Sequence, residues 1–300
     1  MYAPATHPVT VLWMHVRTAV IPAAGQGTRF LPATKAVPKE LMPIGDTPAI
    51  QLIIDEALGA GIDHIVVVSN RAKPAIEAYF EPDPALVDQL RANGRHETAD
   101  RLAAIGRDWR VTIAYQDEPR GLGHAVGCGA EAVGDEPFAV LLPDELMSDS
   151  SLLAQMCAVC ESTGGGVIGV TEAPMEEVSR YGVVDPGGPV SADGVVRVAD
   201  IVEKPPVEEA KSNIITIGRY VLTPDVFDAI AALEPGYGGE LQLTDALRVQ
   251  AARGPFSAVL VRCRRHDTGN PLGFLEAAID YGLADPGIGA AVREFITARV

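Results

Sequence analysis

Cysteine, long apolar runs and basic residues are all scarce in this chain of 300 residues. Four cysteines give no disulfide framework, which favours a reducing cytoplasm. No apolar run reaches the roughly 20 residues that a membrane-spanning helix needs, so we expect no membrane partner. Lysine and arginine number 24 against 40 acidic residues, a formal net charge of −16. Because nucleic-acid binders are usually basic, we expect no nucleic-acid partner either.

Cys157 and Cys160 have the CxxC spacing of some zinc and redox sites. The chain has no second such pair and no cluster of histidines near them. The stretch that contains them is apolar and has helical character. We therefore predict that both are thiols of a hydrophobic core.

Predicted strands alternate with predicted helices through the first half of the chain. The strands are 18–23, 63–70, 111–115, 137–142 and 165–171, and the helices are 48–60, 74–80, 86–102 and 122–133. This alternation predicts a parallel sheet with helices on both faces.

The second half is richer in strands. The predicted strands are 181–184, 195–203, 214–221 and 257–263, with helices at 224–233 and 241–252 and a helical tail after Asn270. No repeat and no Gly/Ser-rich or Pro-rich linker divides the chain. We predict a loose N-terminal extension at 1–17 and a single domain at 18–300, with a polar helical insertion at 81–108.

The stretch AAGQGTRFLPATKAVPKE, from Ala23 to Glu40, follows the first predicted strand. Its glycines let the backbone approach a ligand and free N–H groups hold phosphate oxygens, although a plain turn is the alternative. A dinucleotide fingerprint would need a third glycine at Phe30, and the Walker pattern is absent, which disfavours an NAD-dependent enzyme. Arg29 and Lys39 favour a phosphate site.

Two aspartates follow apolar strands and are candidate metal ligands. Asp144 comes at the carboxyl end of a predicted strand, where open α/β sheets bind ligands and where a carboxylate suits Mg²⁺ shared with phosphates. A turn cap is the alternative. Asp267 begins Asp-Thr-Gly, which is also the aspartic protease signature. That chemistry needs two carboxylates that share a proton, and the chain has one such tripeptide.

Two further polar sites complete the candidates. Glu203 and Lys204 stand at a strand end, where such a pair is usually a surface ion pair but where the lysine also suits a phosphate. Gln116 comes before the glycines at 121 and 123, and its carboxamide has donors and acceptors for the edge of a pyrimidine.

Together these stretches resemble the bacterial UTP–glucose-1-phosphate uridylyltransferases, within the sugar-phosphate nucleotidyltransferase superfamily. The matching segments cover nearly the whole chain from Thr18 to about Gly282: VIPAAGQGTRFLPATKAVPKELMPI, GLGHAV, GDEP, LLPD, RYGVVDP, VEKP, GRYVLTPDVF, GELQLTDAL and HDTGNPLGFLEAAIDYG. Glucose-1-phosphate thymidylyltransferases are similar at the first loop, the strand-end Asp and Glu-Lys-Pro. They generally lack an insertion like 81–108 and the GLGHAV and HDTGN segments in this form.

The resemblance implies an α/β fold, with a Rossmann-like mixed, mostly parallel central sheet flanked by helices, a small strand-rich insertion and C-terminal helices. It implies uridylyl transfer from UTP to glucose 1-phosphate, which gives UDP-glucose and pyrophosphate, with Mg²⁺ as cofactor and a homo-oligomer, dimer or tetramer. Two alternatives stay open, a thymidylyltransferase and a non-catalytic regulatory paralogue that binds nucleotide sugars.

The resemblance also implies a role for each matching position. The nucleotide-binding residues are expected to be Ala23, Ala24, Gly25, Gly27, Thr28, Gln116 and Gly121. The expected catalytic residues are Arg29, Lys39, Asp144 and Lys204, with Arg29 and Lys39 on the triphosphate. Gly182, Glu203 and Lys204 are expected to hold the sugar phosphate, and Asp144 and Asp267 to bind Mg²⁺. Glu145 stands where many relatives have an apolar residue, and it either adds local negative charge, which leaves open which of the Asp144 and Glu145 carboxylates touches the metal, or faces solvent.

Overall fold

The computed structural model describes residues 15–299. Its strands are β1 Thr18–Pro22, β2 Pro43–Ile44, β3 Thr47–Pro48, β4 His64–Ser69, β5 Arg110–Tyr115, β6 Phe138–Leu141, β7 Glu145–Met147, β8 Gly166–Glu172, β9 Gly182–Pro186, β10 Val195–Glu203, β11 Ile214–Leu222, β12 Phe256–Leu260 and β13 Arg265–Asp267. Its α-helices are α1 Ala49–Gly59, α2 Pro74–Phe80, α3 Pro84–Ala92, α4 His96–Ala104, α5 Leu122–Gly127, α6 Ala130–Val133, α7 Ser151–Thr163, α8 Asp225–Ala231, α9 Leu243–Arg253, α10 Pro271–Ala284 and α11 Gly289–Thr297. Among these residues, no helix combines the length and the apolar character needed to cross a bilayer.

A mixed sheet of nine strands, in the order β5-β4-β1-β6-β11-β8-β12-β10-β9, runs through the described residues. β1, β4, β5 and β6 are mutually parallel, as are β8 and β12. β10 and β11 pair antiparallel with their neighbours. All the other strands of the sheet therefore run in one direction, which confirms the expected mixed, mostly parallel arrangement.

The central strands are apolar on both faces because helices cover both sides of the sheet. On β1, Ala19 and Ile21 face α1 and α7, whereas Val20 faces α5, α8 and α9. Alternate residues of one strand thus enter two different cores, as expected for a buried parallel sheet. Cys157 and Cys160 lie buried on α7 in the first of these cores, which confirms the prediction of core thiols.

The structure divides two of the predicted helices. The segment 86–102 forms parts of α3 and α4, which separate at Gly94, where φ is 74°. This left-handed conformation suits glycine and ends a helix. The segment 122–133 likewise forms α5 and α6. The two-residue strands β2 and β3 and the three-residue strands β7 and β13 were not predicted, because such short strands have no periodic pattern.

Residues 1–14 of the predicted N-terminal extension lie outside the described residues. Residues 15–17 are packed on the domain. Val16 is 1% exposed in the core, and the ring Nδ1 of His15 lies 2.8 Å from Glu161 Oε1. These three residues therefore belong to the packed structure.

Candidate active site

The candidate residues of the first half lie at one edge of the sheet. Ala23–Gly25 follow β1, Gln116 follows β5, and Asp144 lies in the turn that connects β6 to β7. Because these strands are parallel, their carboxyl ends meet at the same edge. β11 is antiparallel to β6, so its first residues lie at this edge as well.

A buried ion pair anchors the first loop. Lys73 Nζ lies 3.1 Å from Glu40 Oε2 and donates to the carbonyl oxygen of Ala23 at 2.9 Å. Ala23 N donates to Val68 O at 2.8 Å. Burial raises the pKa of Glu40, an effect that the Lys73 ammonium opposes. The pair joins the start of the loop to its end, and the sequence contained no signal for Lys73.

The loop residues differ in how accessible they are to a ligand. Ala23 is 0% exposed and its backbone N and O are both bonded within the protein, which fixes the start of the loop; its contact with a nucleotide stays a prediction. Gly25 is exposed and has no atom within 4 Å of the position that a Cβ would take. Gly27 has φ of 61°, and its carbonyl oxygen accepts from Thr34 Oγ1 at 2.8 Å, which holds the turn. Ala24 is partly exposed and Thr28 exposed on the same loop.

Charged side chains from three distant segments meet around Gly269. We call this group the carboxylate cluster; it consists of the carboxylates of Asp144 and Asp267 and the cations of Arg29 and Lys39. A Cβ on Gly269 would lie 3.0 Å from Asp267 Oδ1, 3.2 Å from Asp144 Oδ2 and 3.4 Å from Arg29 Nη1. Lys39 Nζ donates to Asp144 Oδ2 at 2.8 Å. The structure thus brings together the four residues that were predicted to hold the triphosphate and the metal.

A cavity of about 180 Å³ lies beside this cluster. Its lining residues come from the first loop and from the segment after β13: Gly27, Thr28, Arg29, Phe30, Lys39 and Gly269. The Arg29 guanidinium also donates to Gly269 O at 3.4 Å. The two segments thus form opposite walls of one opening.

The Asp144 carboxyl group is held in its charged form. Burial raises its pKa, but the neighbouring Lys39 ammonium and the Arg29 guanidinium outweigh this effect, so the pKa of Asp144 lies below its usual value. Asp144 is therefore an anion at neutral pH, as a metal ligand must be.

A small antiparallel ribbon explains why Asp144 and Asp267 meet. β7 pairs with β13, and Glu145 stands opposite Asp267 in this register. Thr268 N also donates to Asp144 O at 2.7 Å, and Gly269 N donates to Asp267 Oδ1 at 2.9 Å. The pairing aligns two sequence motifs that are far apart in the chain.

Asp144 and Asp267 have the donor chemistry that Mg²⁺ prefers. Mg²⁺ at nucleotide sites usually takes one or two carboxylates and completes its shell with phosphate oxygens and water. Within residues 15–299 there is no group of three or more His, Cys, Asp or Glu side chains suited to a metal. Two carboxylates beside phosphate-binding cations fit a metal shared with a ligand better than a closed protein site.

Glu145 is largely buried within the protein rather than facing solvent. Its Oε2 accepts from Arg265 Nη1 at 2.9 Å, and its Oε1 accepts from the backbone N of Gly218 at 3.0 Å. The side chain is 16% exposed. Burial raises the pKa of Glu145, an effect that the two nearby arginines oppose. Because both oxygens are bound within the protein, the expectation that Glu145 faces solvent is wrong, whereas its carboxylate does add negative charge beside Asp144.

Arg219 on β11 fixes the segment that carries Asp144. Its guanidinium is fully buried and forms a bidentate pair with Glu56, at 2.6 Å and 2.8 Å. It also donates to the carbonyl oxygens of Leu142 at 3.3 Å and Glu145 at 2.7 Å, on either side of Asp144. Sequence analysis did not identify this arginine, because its function depends on contacts between elements.

Gln116, Gly121 and His124 form a second group, which we call the amide cluster. Gln116 Nε2 donates to Gly121 O at 3.0 Å and lies 2.9 Å from His124 Nδ1. Gly121 has φ of 106°, and a Cβ there would lie 2.7 Å from Leu241 O, so this position requires glycine. His124 lies in the GLGHAV segment but was not predicted to have a role.

The third group consists of Gly182, Glu203 and Lys204. Gly182 is opposite Glu203 in the β9–β10 pairing, and a Cβ on Gly182 would lie 2.8 Å from Thr216 Oγ1. Lys204 Nζ lies 3.1 Å from Glu203 Oε1, and Glu203 Oε2 accepts from Thr244 Oγ1 at 2.7 Å. The backbone of Lys204 has φ of 45°, a left-handed conformation that is unusual for a residue with a side chain.

Tyr220 on β11 links this group to the carboxylate cluster. Burial raises the pKa of its hydroxyl group, and the charges of Glu145, Glu203 and Asp144 add to this effect. The tyrosine is therefore close enough to both groups to feel their charges. In the sheet, β11 lies between β6, which precedes Asp144, and β10, which ends at Glu203.

Comparison with known proteins identifies the family. Residues 18–282 match the family model described as Nucleotidyl transferase. The chain is 45% identical over 272 residues to the UTP–glucose-1-phosphate uridylyltransferase YngB of Bacillus subtilis, a match that covers 90% of this chain and 91% of the relative.

Solved structures agree with this match. The fold is similar to a UTP-bound UGPase from Acinetobacter baumannii, with a TM-score of 0.86, 36% identity and coverage of 94% and 99% of the two chains. It is also similar to a UDP-glucose pyrophosphorylase complexed with UDP-glucose, with a TM-score of 0.78, 37% identity and coverage of 90% and 100%. The chain is an enzyme of the nucleotidyl transferase family and belongs to its UTP–glucose-1-phosphate uridylyltransferases.

Proposed function

We propose that this protein transfers a uridylyl group from UTP to α-D-glucose 1-phosphate and releases UDP-glucose and pyrophosphate. The observation that carries the proposal is the convergence of Arg29, Asp144 and Asp267 within 3.4 Å of one point beside Gly269. Cations for a triphosphate and carboxylates for its metal are thereby combined in one opening. The sequence similarity to named uridylyltransferases supports the choice of substrates.

The reaction needs charge neutralisation and positioning more than a protein nucleophile. A phosphate oxygen of glucose 1-phosphate attacks the α-phosphorus of UTP in line and forms a new O–P bond. The bond from the α-phosphorus to the oxygen that bridges to the β-phosphorus breaks, and pyrophosphate leaves with that electron pair. Atoms and charges balance without any covalent intermediate.

The cations of the first loop are proposed to bind the triphosphate. Arg29 is exposed beside the opening and suits bidentate contact with phosphate oxygens. Lys39 is paired with Asp144 at 2.8 Å and would exchange this partner for phosphate when the nucleotide arrives. The bound nucleotide would lie along the loop, in contact with Gly25, Gly27 and Thr28.

Asp144 and Asp267 are proposed to hold Mg²⁺. Held by these two carboxylates, the ion would neutralise the charge that develops on the leaving pyrophosphate. The protein contributes by holding Asp144 ionised and by fixing Asp267 through the Gly269 backbone N, at 2.9 Å. We expect a chelator such as EDTA to abolish turnover and excess Mg²⁺ to restore it.

Lys204 is proposed to bind the phosphate of the sugar phosphate, with Glu203 beside it as an acceptor for sugar hydroxyl groups. Thr244 orients the Glu203 carboxylate through its 2.7 Å hydrogen bond. Gly182 leaves the space that a side chain would fill beside Thr216 and Glu203.

Pyrophosphate release from UTP, glucose 1-phosphate and Mg²⁺ tests the proposal. We expect steady release by the wild type and loss of at least a hundredfold in Lys204→Ala, a cost of roughly 2.7 kcal/mol. Lys211→Ala is the matched control, because it removes the same charge from an exposed position nearby. No release by the wild type above Lys204→Ala would favour the regulatory paralogue, and a preference for dTTP over UTP would favour the thymidylyltransferase.

We also propose that the protein is a homo-oligomer, a dimer or a tetramer. Leu272, Leu275 and Ile279 recur at helical spacing on α10, and their side chains are exposed. Soluble monomers rarely leave contiguous apolar patches uncovered. Light scattering coupled to size-exclusion chromatography measures the assembly directly, and the mass of one chain of 31.6 kDa would contradict the proposal.

A further inference from the structure

The orientation of the Gln116 carboxamide follows from its contact with the backbone. The atom that lies 3.0 Å from the carbonyl oxygen of Gly121 must be a donor, because two acceptor oxygens repel each other at this distance. The amide nitrogen of Gln116 therefore faces Gly121. This assignment does not depend on the protonation of any neighbouring group.

The same nitrogen determines the tautomer of His124. An amide nitrogen only donates, so His124 Nδ1, at 2.9 Å from it, must accept. The imidazole is then neutral and has its proton on Nε2. Burial lowers the pKa of His124, and the charge of Arg120 adds to this effect while Glu118 opposes it, which agrees with a neutral ring.

Both amide hydrogens of Gln116 are consequently bound within the protein. Only Oε1 is left for a ligand, and none of the residues 15–299 donates a hydrogen bond to it. Gln116 is thus an acceptor at the edge of the sheet. Uracil and thymine have an N–H donor at N3, whereas cytosine has a lone pair there. An acceptor facing N3 favours the first two bases and repels the third.

We infer that His124 is a positioning residue for base selection, which accepts the second amide hydrogen of Gln116 and so keeps Oε1 directed at the pyrimidine. The inference rests on the proposed function, because it takes a pyrimidine nucleotide as the ligand of this site. Without an acceptor at position 124 one amide hydrogen is released. Only the Gly121 carbonyl oxygen then holds the carboxamide, so that turning its amide nitrogen toward N3 of cytosine breaks one hydrogen bond instead of two.

Binding constants for UTP and CTP test the inference without requiring turnover. We expect His124→Leu, which lacks the acceptor, to lower the ratio of CTP to UTP dissociation constants at least tenfold. His124→Asn is the matched control, because its side-chain oxygen takes nearly the place of Nδ1, and we expect its ratio to stay within about threefold of the wild type. His124→Met serves as the second acceptor-free variant if His124→Leu does not fold.

A double-mutant cycle separates a positioning role from a structural one. If His124 acts through Gln116, His124→Leu should leave the ratio unchanged in a Gln116→Leu background. An unchanged ratio of CTP to UTP dissociation constants in His124→Leu would overturn the inference, whether binding of both nucleotides weakens by the same factor or does not change. If instead the proposed function is wrong, the wild type itself will release no pyrophosphate. dTTP should behave as UTP in every variant, since thymine keeps the N3 hydrogen.

Discussion

Gly269→Ala tests whether Arg29, Asp144 and Asp267 converge as the structure has them. The new methyl group would lie 3.0 Å from Asp267 Oδ1 and 3.2 Å from Asp144 Oδ2, closer than ordinary van der Waals contact. The backbone itself can accept alanine, because Gly269 is not among the glycines with positive φ. The substitution therefore acts on the two carboxylates and leaves the chain path unchanged.

The distances set the size of the expected effect. Each carboxylate must move by a few tenths of an ångström to relieve the contact. A displacement of about 1 Å at a reacting centre costs on the order of a hundredfold in rate, so the smaller shift of two carboxylates should cost about tenfold or somewhat more. Tenfold corresponds to about 1.4 kcal/mol of transition-state stabilisation. The effect on unfolding should be about 1 kcal/mol, a Tm shift of no more than about 4 °C.

The assay is the initial rate of pyrophosphate release at increasing Mg²⁺ concentration, with thermal denaturation in parallel. We expect Gly269→Ala to lower kcat/KM about tenfold or somewhat more and to need more Mg²⁺ for half-maximal rate. Gly188→Ala is the matched control, because that glycine also has no positive φ and has no atom within 4 Å of its Cβ position. A folded Gly269→Ala enzyme with kcat/KM within twofold of the wild type would refute the reasoning.

Three further predictions concern the strained, buried and charged residues around the site. Lys204→Gly should be more stable than Lys204→Ala by about 1 kcal/mol, because only glycine adopts the left-handed conformation without strain, and Tm values of the two inactive variants check this. Arg219→Met should lower the free energy of unfolding by about 3–5 kcal/mol because Glu56 stays buried without a partner. In urea titrations, a Glu56→Leu/Arg219→Met double variant should recover part of this loss but not the part due to the Leu142 and Glu145 carbonyl oxygens, which still lack a donor. The difference in unfolding free energy between wild type and Asp144→Asn should be constant above about pH 5 and shrink below about pH 4. Ionised Asp144 stabilises the fold through Lys39, and this contribution is lost as the pH falls through the lowered pKa of Asp144. Urea midpoints at each pH measure this difference.

Local patterns were enough to predict which residue types form the site. The first loop, the strand-end Asp144 and the segment after β13 each consist of contiguous residues with a chemical preference of their own. Their placement at one sheet edge also followed from the parallel strands of the first half. The proposed roles of these residues remain predictions until the variants above are measured.

Contacts between distant segments could not be predicted in this way. Glu145 was expected either to add local charge or to face solvent, and which of its atoms would be bonded could not be foreseen: it lies between Arg265 and the Gly218 backbone. Arg219 and Lys73 stabilise the Asp144 segment and the first loop through bonds to partners on other elements. No motif marks such residues, because their effect depends on which chain segments become neighbours.

The sequence by itself determined the order of strands and helices in the first half, the acidic and phosphate-binding motifs and, by resemblance, the family. These properties are local, since an apolar period or a loop composition is set by adjacent residues. Only the tertiary structure decided that β7 pairs with β13, which brings Asp267 beside Asp144, and that Gln116 meets His124 at 2.9 Å. Such distances depend on the packing of the whole domain, because each side chain is held by elements that are remote in the chain.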